Sequence, residues 1–461
     1  MKPFPPPISL KALMGPSFII LALGLGSGEV ILWPYLTANF GLGIAFGALL
    51  GLSFQFFINM EIERYALAKG ESVFVGLRQM FPWSSYWFIA TTFIGFGIPG
   101  IVAASATLFA HLMGWQDFKW LAIGLLIFIG LILSTGKTVY EMMENITRTV
   151  LLIGSPLILI LAVLLSQPSD FVALGKGLVG IGSDYFLLPT GIVLATFLAA
   201  FAYSGAGGNL NLTQSIYVKE KGYGMGIYAQ KIAGLFRKKE EQEIKLLGED
   251  FELNDENLAN FRAWWKRINI EHLIIFWGIG LITISMLMLL SYNTVFKEGG
   301  FDKSDISFVI REGGIIGESL IPAIGIVFIL AAAIMLFQTQ LGVMDSNSRI
   351  MSENFALIKL GREGKINLSR IYFYFLWAQI AFGIILFLLN FKQPLQLIVL
   401  GAVINAVAMF VHIGLVNWMN FKVLPKQIQA SIGRKIILGI IFLFFGVFSI
   451  ITIISEISKF G

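Results

Sequence analysis

Residues 15–38 read GPSFIILALGLGSGEVILWPYLTA, an apolar stretch long enough to cross a bilayer but interrupted at its middle by Gly24-Leu25-Gly26-Ser27-Gly28-Glu29. A second interruption, Tyr203-Ser204-Gly205-Ala206-Gly207-Gly208-Asn209-Leu210-Asn211, breaks the apolar segment from Pro189 to Tyr217. Glycine-interrupted spans at matching places in two halves of a membrane protein point to a binding site, because unwound backbone frees carbonyls and amides to hold a solute. The breaks therefore decide both the fold and where function should be sought.

Composition supports this reading. Hydrophobic residues make up 56% of the 461 and charged residues 13%, and the mean hydropathy is +0.79, whereas a soluble domain carries roughly 25% charged residues. Windows of about 20 apolar residues fall at 15–38, 42–67, 86–113, 118–135, 146–166, 189–217, 270–293, 319–345, 371–390, 394–417 and 434–455, predicting eleven transmembrane helices. Helices are favoured over a barrel, whose strands would alternate in segments of about ten residues. The apolar stretch after residues 1–14 is too long for a cleavable signal, so the first helix is expected to remain in the mature protein.

The predicted loops divide the basic residues unevenly: 26 of 33 lysines and arginines fall on the side of the N-terminus. By the positive-inside rule the N-terminus is cytoplasmic and, with eleven spans, the C-terminus is outside. The expected location is the plasma (inner) membrane of a prokaryote, and the net charge of +5 needs no nucleic acid to explain it. The absence of cysteine removes disulfides, thiolate ligands and thiol nucleophiles together.

The broken spans are the first and the sixth, so the unit repeats after five helices. Five is odd, and the second unit must enter from the opposite side. The chain then divides into a cytoplasmic N-terminus (1–14), a five-helix repeat (15–166), an inverted second repeat (189–417) with a cytoplasmic insertion (218–268), and an eleventh helix (434–455), the organisation of LeuT-type carriers. Within the insertion, Ile232, Leu235, Ile244 and Leu247 predict short amphipathic helices on a solvated loop.

Glu29 is the only acid at the middle of the first span, and a carboxylate at membrane depth is costly enough to be read as functional. It suits a ligand for a cation or a proton acceptor that couples transport to a gradient; capping the second half-helix is the plainer structural role. The candidate substrate site comprises Gly26, Ser27, Gly28, Glu29, Gly205, Ala206, Gly207 and Asn209. For a bound cation, Glu29 with the carbonyls of Gly26 and Gly205 would form the shell. Gly95-Phe96-Gly97-Ile98-Pro99-Gly100 predicts a kink in the third span. Gln338, Gln340 and Asp345-Ser346-Asn347 are candidates for an inner vestibule, Asn405 and His412 for interhelical hydrogen bonds, and Glu61, Glu63 and Arg64 for a local ion pair. The sequence has no zinc-protease helix, Walker lysine loop or nucleophile elbow, and no enzymatic activity or cofactor is expected.

At these residues the chain resembles the Nramp divalent-metal transporters, proton-coupled carriers of the LeuT-like fold. Gly15-Pro16-Ser17-Phe18 looks like the opening of the family's first helix, and Asn209-Leu210-Asn211-Leu212 looks like the N-L-Y-L that follows its sixth-helix M-P-H. The family's D-P-G-N falls on Gly26-Ser27-Gly28-Glu29, and M-P-H on Ala206-Gly207-Gly208. The aspartate, asparagine and methionine ligands thus become Gly26, Glu29 and Ala206. Loss of the soft sulfur, as in Nramp-related magnesium carriers, suits a hard hydrated cation such as Mg2+. The resemblance implies a secondary transporter of a divalent cation. The alternatives are a carrier of a small organic or amino-acid-like solute coupled to protons or Na+, its carboxylate held by amides at Gly26–Gly28 and Gly207–Asn209, and a membrane sensor signalling through 219–267.

Overall fold

The computed structural model describes residues 1–9, 13, 16–24, 26–135, 139–230, 242–301, 305–360 and 363–457. The first span is a pair of half-helices, α1 (Pro16–Gly24) and α2 (Trp33–Phe40), joined by a turn at Gly26 and a π-helical turn Ser27–Leu32. The second is α3 (Ala45–Lys69), followed by a short α4 (Val73–Met80). The third is α5 (Ser84–Gly97) and α6 (Gly100–Leu112), which form one 29-residue span kinked at Pro99. Its glycines admit a crossing helix, since a Cβ on Gly95 would lie 2.6 Å from Asn405 Oδ1 and one on Gly100 would lie 2.5 Å from the backbone of Ile398. The expected kink is present, at the proline between the two helices.

Then come α7 (Lys119–Thr135), α8 (Val139–Leu165) and α9 (Pro168–Gly177). The sixth span is broken into α10 (Leu194–Ala202) and α11 (Thr213–Lys221), with a 3-10 turn Gly208–Leu212 between them. After α12 (Asp255–His272) the chain continues without a break through α13 (Gly280–Ser291), making a 42-residue helix from Asp255 to Phe296. The predicted boundary at 268 therefore falls inside a helix. The remainder is α14 (Ser307–Ser319), α15 (Pro322–Leu360), α16 (Leu368–Leu388), α17 (Pro394–Val423) and α18 (Ile432–Ile457).

Eleven crossing helices are not confirmed. Among the described residues eight helices are long and apolar enough to cross a membrane, or nine if a bent pair is one span. The three remaining predicted windows fall short for separate reasons. The 118–135 window gives a shorter helix, the 146–166 window lies in α8, which turns by 115° into α9 at its end, and the 189–217 window is split by its glycines.

Charge divides the bundle into two faces. On the face that holds the N-terminus, Lys69 pairs with Asp250 (2.5 Å), Arg434 with Glu61 (3.1 Å) and Lys219 with Glu353 (3.8 Å). On the far face, Lys297 pairs with Asp170 and Lys392 with Asp117, each at 2.7 Å. The Lys392 ammonium holds the exposed Asp117 carboxyl below the usual carboxylate range.

The insertion departs from a solvated loop. Ile232 and Leu235 lie outside the described residues, but Gln242–Lys245 forms a strand, β1, pairing antiparallel with β2 (Glu363–Ile366) in the register Gln242 to Ile366. From Leu246 to His272 the chain folds back over the N-terminus. Phe4 is 2% exposed and packs edge-on against Phe251 (4.8 Å) and Phe261 (5.6 Å), while Trp264 Nε1 donates to Pro5 O at 3.0 Å. Tyr65 Oη (2.6 Å) and Gly248 N (2.8 Å) both donate to Glu71, whose carboxyl burial pushes above its ordinary range. The aromatic residues of this part of the insertion thus form an internal packing face. Phe4→Ala should cost about 3 kcal/mol or more locally. In hydrogen exchange, residues 255–264 should then lose protection while 26–32 keep theirs.

Candidate functional site

Two runs of unwound backbone meet at the centre of the bundle. Beyond Ala202 the helix cannot continue, because Gly207 (φ +74°) and Gly208 (φ +51°) occupy left-handed conformations that glycine adopts without strain. In the first break Gly26 N donates to Gly24 O at 2.8 Å before the π-helical turn begins. The lack of side chains lets the strands touch: a Cβ on Gly24 would lie 2.7 Å from Gly205 Cα, and one on Gly28 would lie 1.6 Å from Tyr203 O.

Four other helices close round this contact. From α3, Gln55 Nε2 donates to Ala202 O at 2.9 Å, and Oε1 accepts from Gly207 N at 3.3 Å. From α5, Thr91 and Thr92 hydroxyls accept from Asn209 Nδ2 at 2.8 and 3.0 Å. From α15, Thr339 Oγ1 donates to Ala22 O at 3.3 Å and lies where a Cβ on Gly26 would sit. From α17, Asn405 Nδ2 donates to Tyr203 Oη at 2.9 Å, and its carbonyl faces Gly208.

Every sequence-predicted site residue is buried here: Gly26, Ser27, Gly28, Glu29, Gly205, Ala206, Gly207 and Asn209. Two of them have other business. Asn209 spends its amide on α5, and Gly207 N is taken by Asn211 Oδ1 at 2.9 Å as well as by Gln55. Glu29 does not cap the following half-helix: it is fully buried, and neither carboxylate oxygen meets a hydrogen-bond donor among the described residues. A buried carboxylate held this way calls for a cation or a proton. Among the described residues no group of three or more histidine, aspartate or glutamate side chains gathers to hold a metal, so main-chain and hydroxyl oxygens would complete any shell around Glu29.

The polar residues expected at a vestibule on α15 are packed instead. Asp345 pairs with Arg349 at 2.9 Å and accepts from Tyr372 Oη at 2.8 Å, and Asn347 Nδ2 donates to Gln379 at 3.0 Å. Asn405 forms the expected interhelical bond. Both ring nitrogens of His412 are without a partner among the described residues. Arg64 pairs with Glu61 as expected, at 2.9 Å, but Glu63 turns away to Gln214. Sequence reading passed over Gln55, Thr91, Thr92 and Thr339. Each is a polar residue within an apolar span, and that was their available signal.

A cavity of about 620 Å3 lies at the far-face ends of α2, α10 and α17, bordered by Tyr35, Asn39, Thr196 and Gln396. Toward the N-face, Thr213 to Glu220 are buried throughout.

The broken-helix pair within this bundle defines a LeuT-like fold. The chain is similar to the manganese transporter of Eremococcus coleocola solved with an aromatic bis-isothiourea compound, with a TM-score of 0.72, 12% identity, and coverage of 98% of this chain and 88% of that one. It is also similar to Mhp1, a nucleobase-cation-symport-1 transporter with bromovinylhydantoin bound (TM-score 0.53, 13% identity, 99% and 94% covered), and to MhsT in complex with L-phenylalanine (TM-score 0.51, 12% identity, 95% and 98% covered). No family model and no curated protein matches the sequence. The Nramp resemblance read from the motifs thus has its counterpart in the fold.

Gly28→Ala puts a methyl group inside the van der Waals shell of Tyr203 O and should destabilise by about 1–3 kcal/mol, as overpacking does. Gly433→Ala, where a Cβ meets nothing within 4 Å, should leave the thermal midpoint unchanged or raised. Fluorescence-detected melting of the purified variants compares the two.

Proposed function

We propose that the chain is a secondary transporter working by alternating access, with its N-face in the cytoplasm, and that its substrate is a hard divalent cation of the Mg2+ or Mn2+ kind. The observation that carries this reading is Glu29, a fully buried carboxylate with no donor on either oxygen, placed where two broken helices touch. In this reading Glu29 is the charged ligand, carbonyls at Gly26 and Gly205 add oxygens, and a proton on Glu29 in the cation's absence couples the cycle. The similarity to a manganese transporter supports a metal substrate.

An organic solute held by its carboxylate is less well served. That reading needs free amides at the breaks, whereas Gly207 N already donates to Asn211 and Gln55, and Gly26 N to Gly24 O. Glu29 also presents like charge to any carboxylate.

Uptake of Mg2+, Mn2+ and Ca2+ into proteoliposomes, with and without a pH gradient, tests the proposal. Wild-type protein should show saturable entry of at least one ion, and Glu29→Gln should reduce it at least about a hundredfold with folding intact. Full transport by Glu29→Gln would reject the role given to Glu29. No entry by folded wild-type protein would leave the organic-solute carrier as the leading reading.

A further inference from the structure

A second buried polar cluster lies between the central break and the N-face, and the site around Glu29 does not use it. His272 is fully buried, stacked on Phe276 (4.6 Å, 7°) with Phe56 on its other side (5.5 Å). Its Nδ1 lies 2.8 Å from Ser17 Oγ and 3.7 Å from Glu63 Oε1, and its Nε2 lies 3.4 Å from Asn59 Nδ2. Ser17 Oγ in turn donates to Glu271 Oε2 at 2.5 Å, and Gln214 Nε2 donates to Glu63. One tautomer satisfies this chain: Nδ1–H donates to Ser17, Ser17 donates to Glu271, and Nε2 accepts from Asn59.

The cluster is short of positive charge. Glu61, Glu63 and Glu271 face it, while Arg64 and Arg434 both contact Glu61, at 2.9 and 3.1 Å. Arg434 reaches Glu63 only at longer range. Ser17 on α1 and Gln214 on α11 bring no charge, so three carboxylates stand against two guanidiniums. Independently of that count, three buried oxygens at the cluster have no hydrogen-bond partner among the described residues: Glu271 Oε1, Asn59 Oδ1 and Gln214 Oε1. Unused acceptors beside an uncompensated negative charge call for a cation.

The cluster also joins the parts that must separate if the N-face is to open. Ser17 sits on the N-face half of the first broken helix and Gln214 at the start of the N-face half of the second, while Glu63 belongs to α3 and Glu271 and His272 to α12. We propose that this cluster binds one monovalent cation, a proton shared by Glu63 and Glu271 or Na+ among the oxygens, and that the bound cation keeps the N-face closed. Without it, two buried carboxylates repel each other across the helices that Ser17 and Gln214 tie together. The consequence for transport rests on the alternating-access reading, but the cation site itself does not depend on Glu29.

Because the chain has no cysteine, one introduced thiol reports without background. Ala22 is 1% exposed on α1, and Ala22→Cys places the reporter behind the closed N-face. Maleimide labelling of the purified protein, with no substrate present, is followed from mildly acid to alkaline pH in choline chloride, then in NaCl, and is expressed throughout as the ratio to labelling of the detergent-unfolded protein at the same pH, which cancels ionisation of the thiol itself. Labelling should rise about tenfold as the proton leaves. Restored protection by Na+ at alkaline pH would identify the metal ion as an occupant, and a pH response indifferent to Na+ would identify the proton. Glu63→Gln removes one negative charge at constant size and should keep the reporter protected at every pH. Ser17→Ala deletes the donor to Glu271 and should raise the midpoint by about one pH unit, the size of one hydrogen bond to a charged group. Labelling in the wild-type background that responds to neither pH nor Na+, or a midpoint unmoved in Ser17→Ala, would overturn the proposal. A flat response with intact metal uptake refutes the cluster and spares the role of Glu29; an intact response with no uptake does the reverse.

Discussion

Backbone-to-backbone contact between the two unwound segments is the constraint on which the rest of the bundle depends. Gly24 against Gly205 and Gly28 against Tyr203 O leave no room for a single methyl group. Unwinding a helix at membrane depth exposes peptide groups that lipid cannot satisfy, so it is tolerated only where protein surrounds it. The surrounding helices are placed accordingly. Gln55 from α3 serves Ala202 O and Gly207 N, Thr339 from α15 serves Ala22 O, and Thr91 and Thr92 from α5 receive Asn209. Those helices approach closely because their own contacts are small or short, as where Gly95 and Gly100 admit α17.

How much of this was legible follows from the range of the interactions. The breaks themselves are local, written in runs of glycine beside polar residues, and their positions at the first and sixth spans pointed to the LeuT-like fold that the chain shares with the manganese transporter. The partners of the breaks were not legible, because Gln55, Thr339 and Asn405 reach them from 146, 317 and 202 residues away in sequence. Charge was legible in the sequence for local pairs and not for distant ones. Arg64 and Glu61 form the expected i,i+3 bridge, but Glu63, next to them in sequence, points to α11 and α12. The count of eleven spans is not confirmed: among the described residues eight or nine helices have the length and hydropathy of a span. A hydropathy window reads across a glycine break as if the helix were continuous.

The insertion shows the same limit from the other side. Its charge predicted solvation, and its spaced isoleucines and leucines predicted short amphipathic helices. Instead, Phe251, Phe261 and Trp264 are buried against the first residues of the chain. A charge run describes only the residues that carry it, while the apolar residues between them choose the packing partner. Since α12 continues into α13, whatever holds these residues in place also bears on the N-face end of a span that contacts the first break.

The electrostatics of the break can be weighed against the proposed substrate. A divalent cation at Glu29 would have one full negative charge beside it, and the remainder would have to come from dipoles. Two helix C-termini converge on the break, α1 at Gly24 and α10 at Ala202, each equivalent to about half a negative charge. With Glu29 they approach the charge of two that a divalent ion requires, although Gln55 already draws on the Ala202 carbonyl. The opposing N-termini offer less to an anion than their geometry suggests, because the Gly207 amide is committed to Asn211 and Gln55. The break is thus richer in uncommitted acceptors than in uncommitted donors, with both Glu29 oxygens and Asn209 Oδ1 unpartnered among the described residues. That imbalance is what the proposed cation reading rests on, and the break has neither the sulfur nor the second carboxylate that a softer metal site would use.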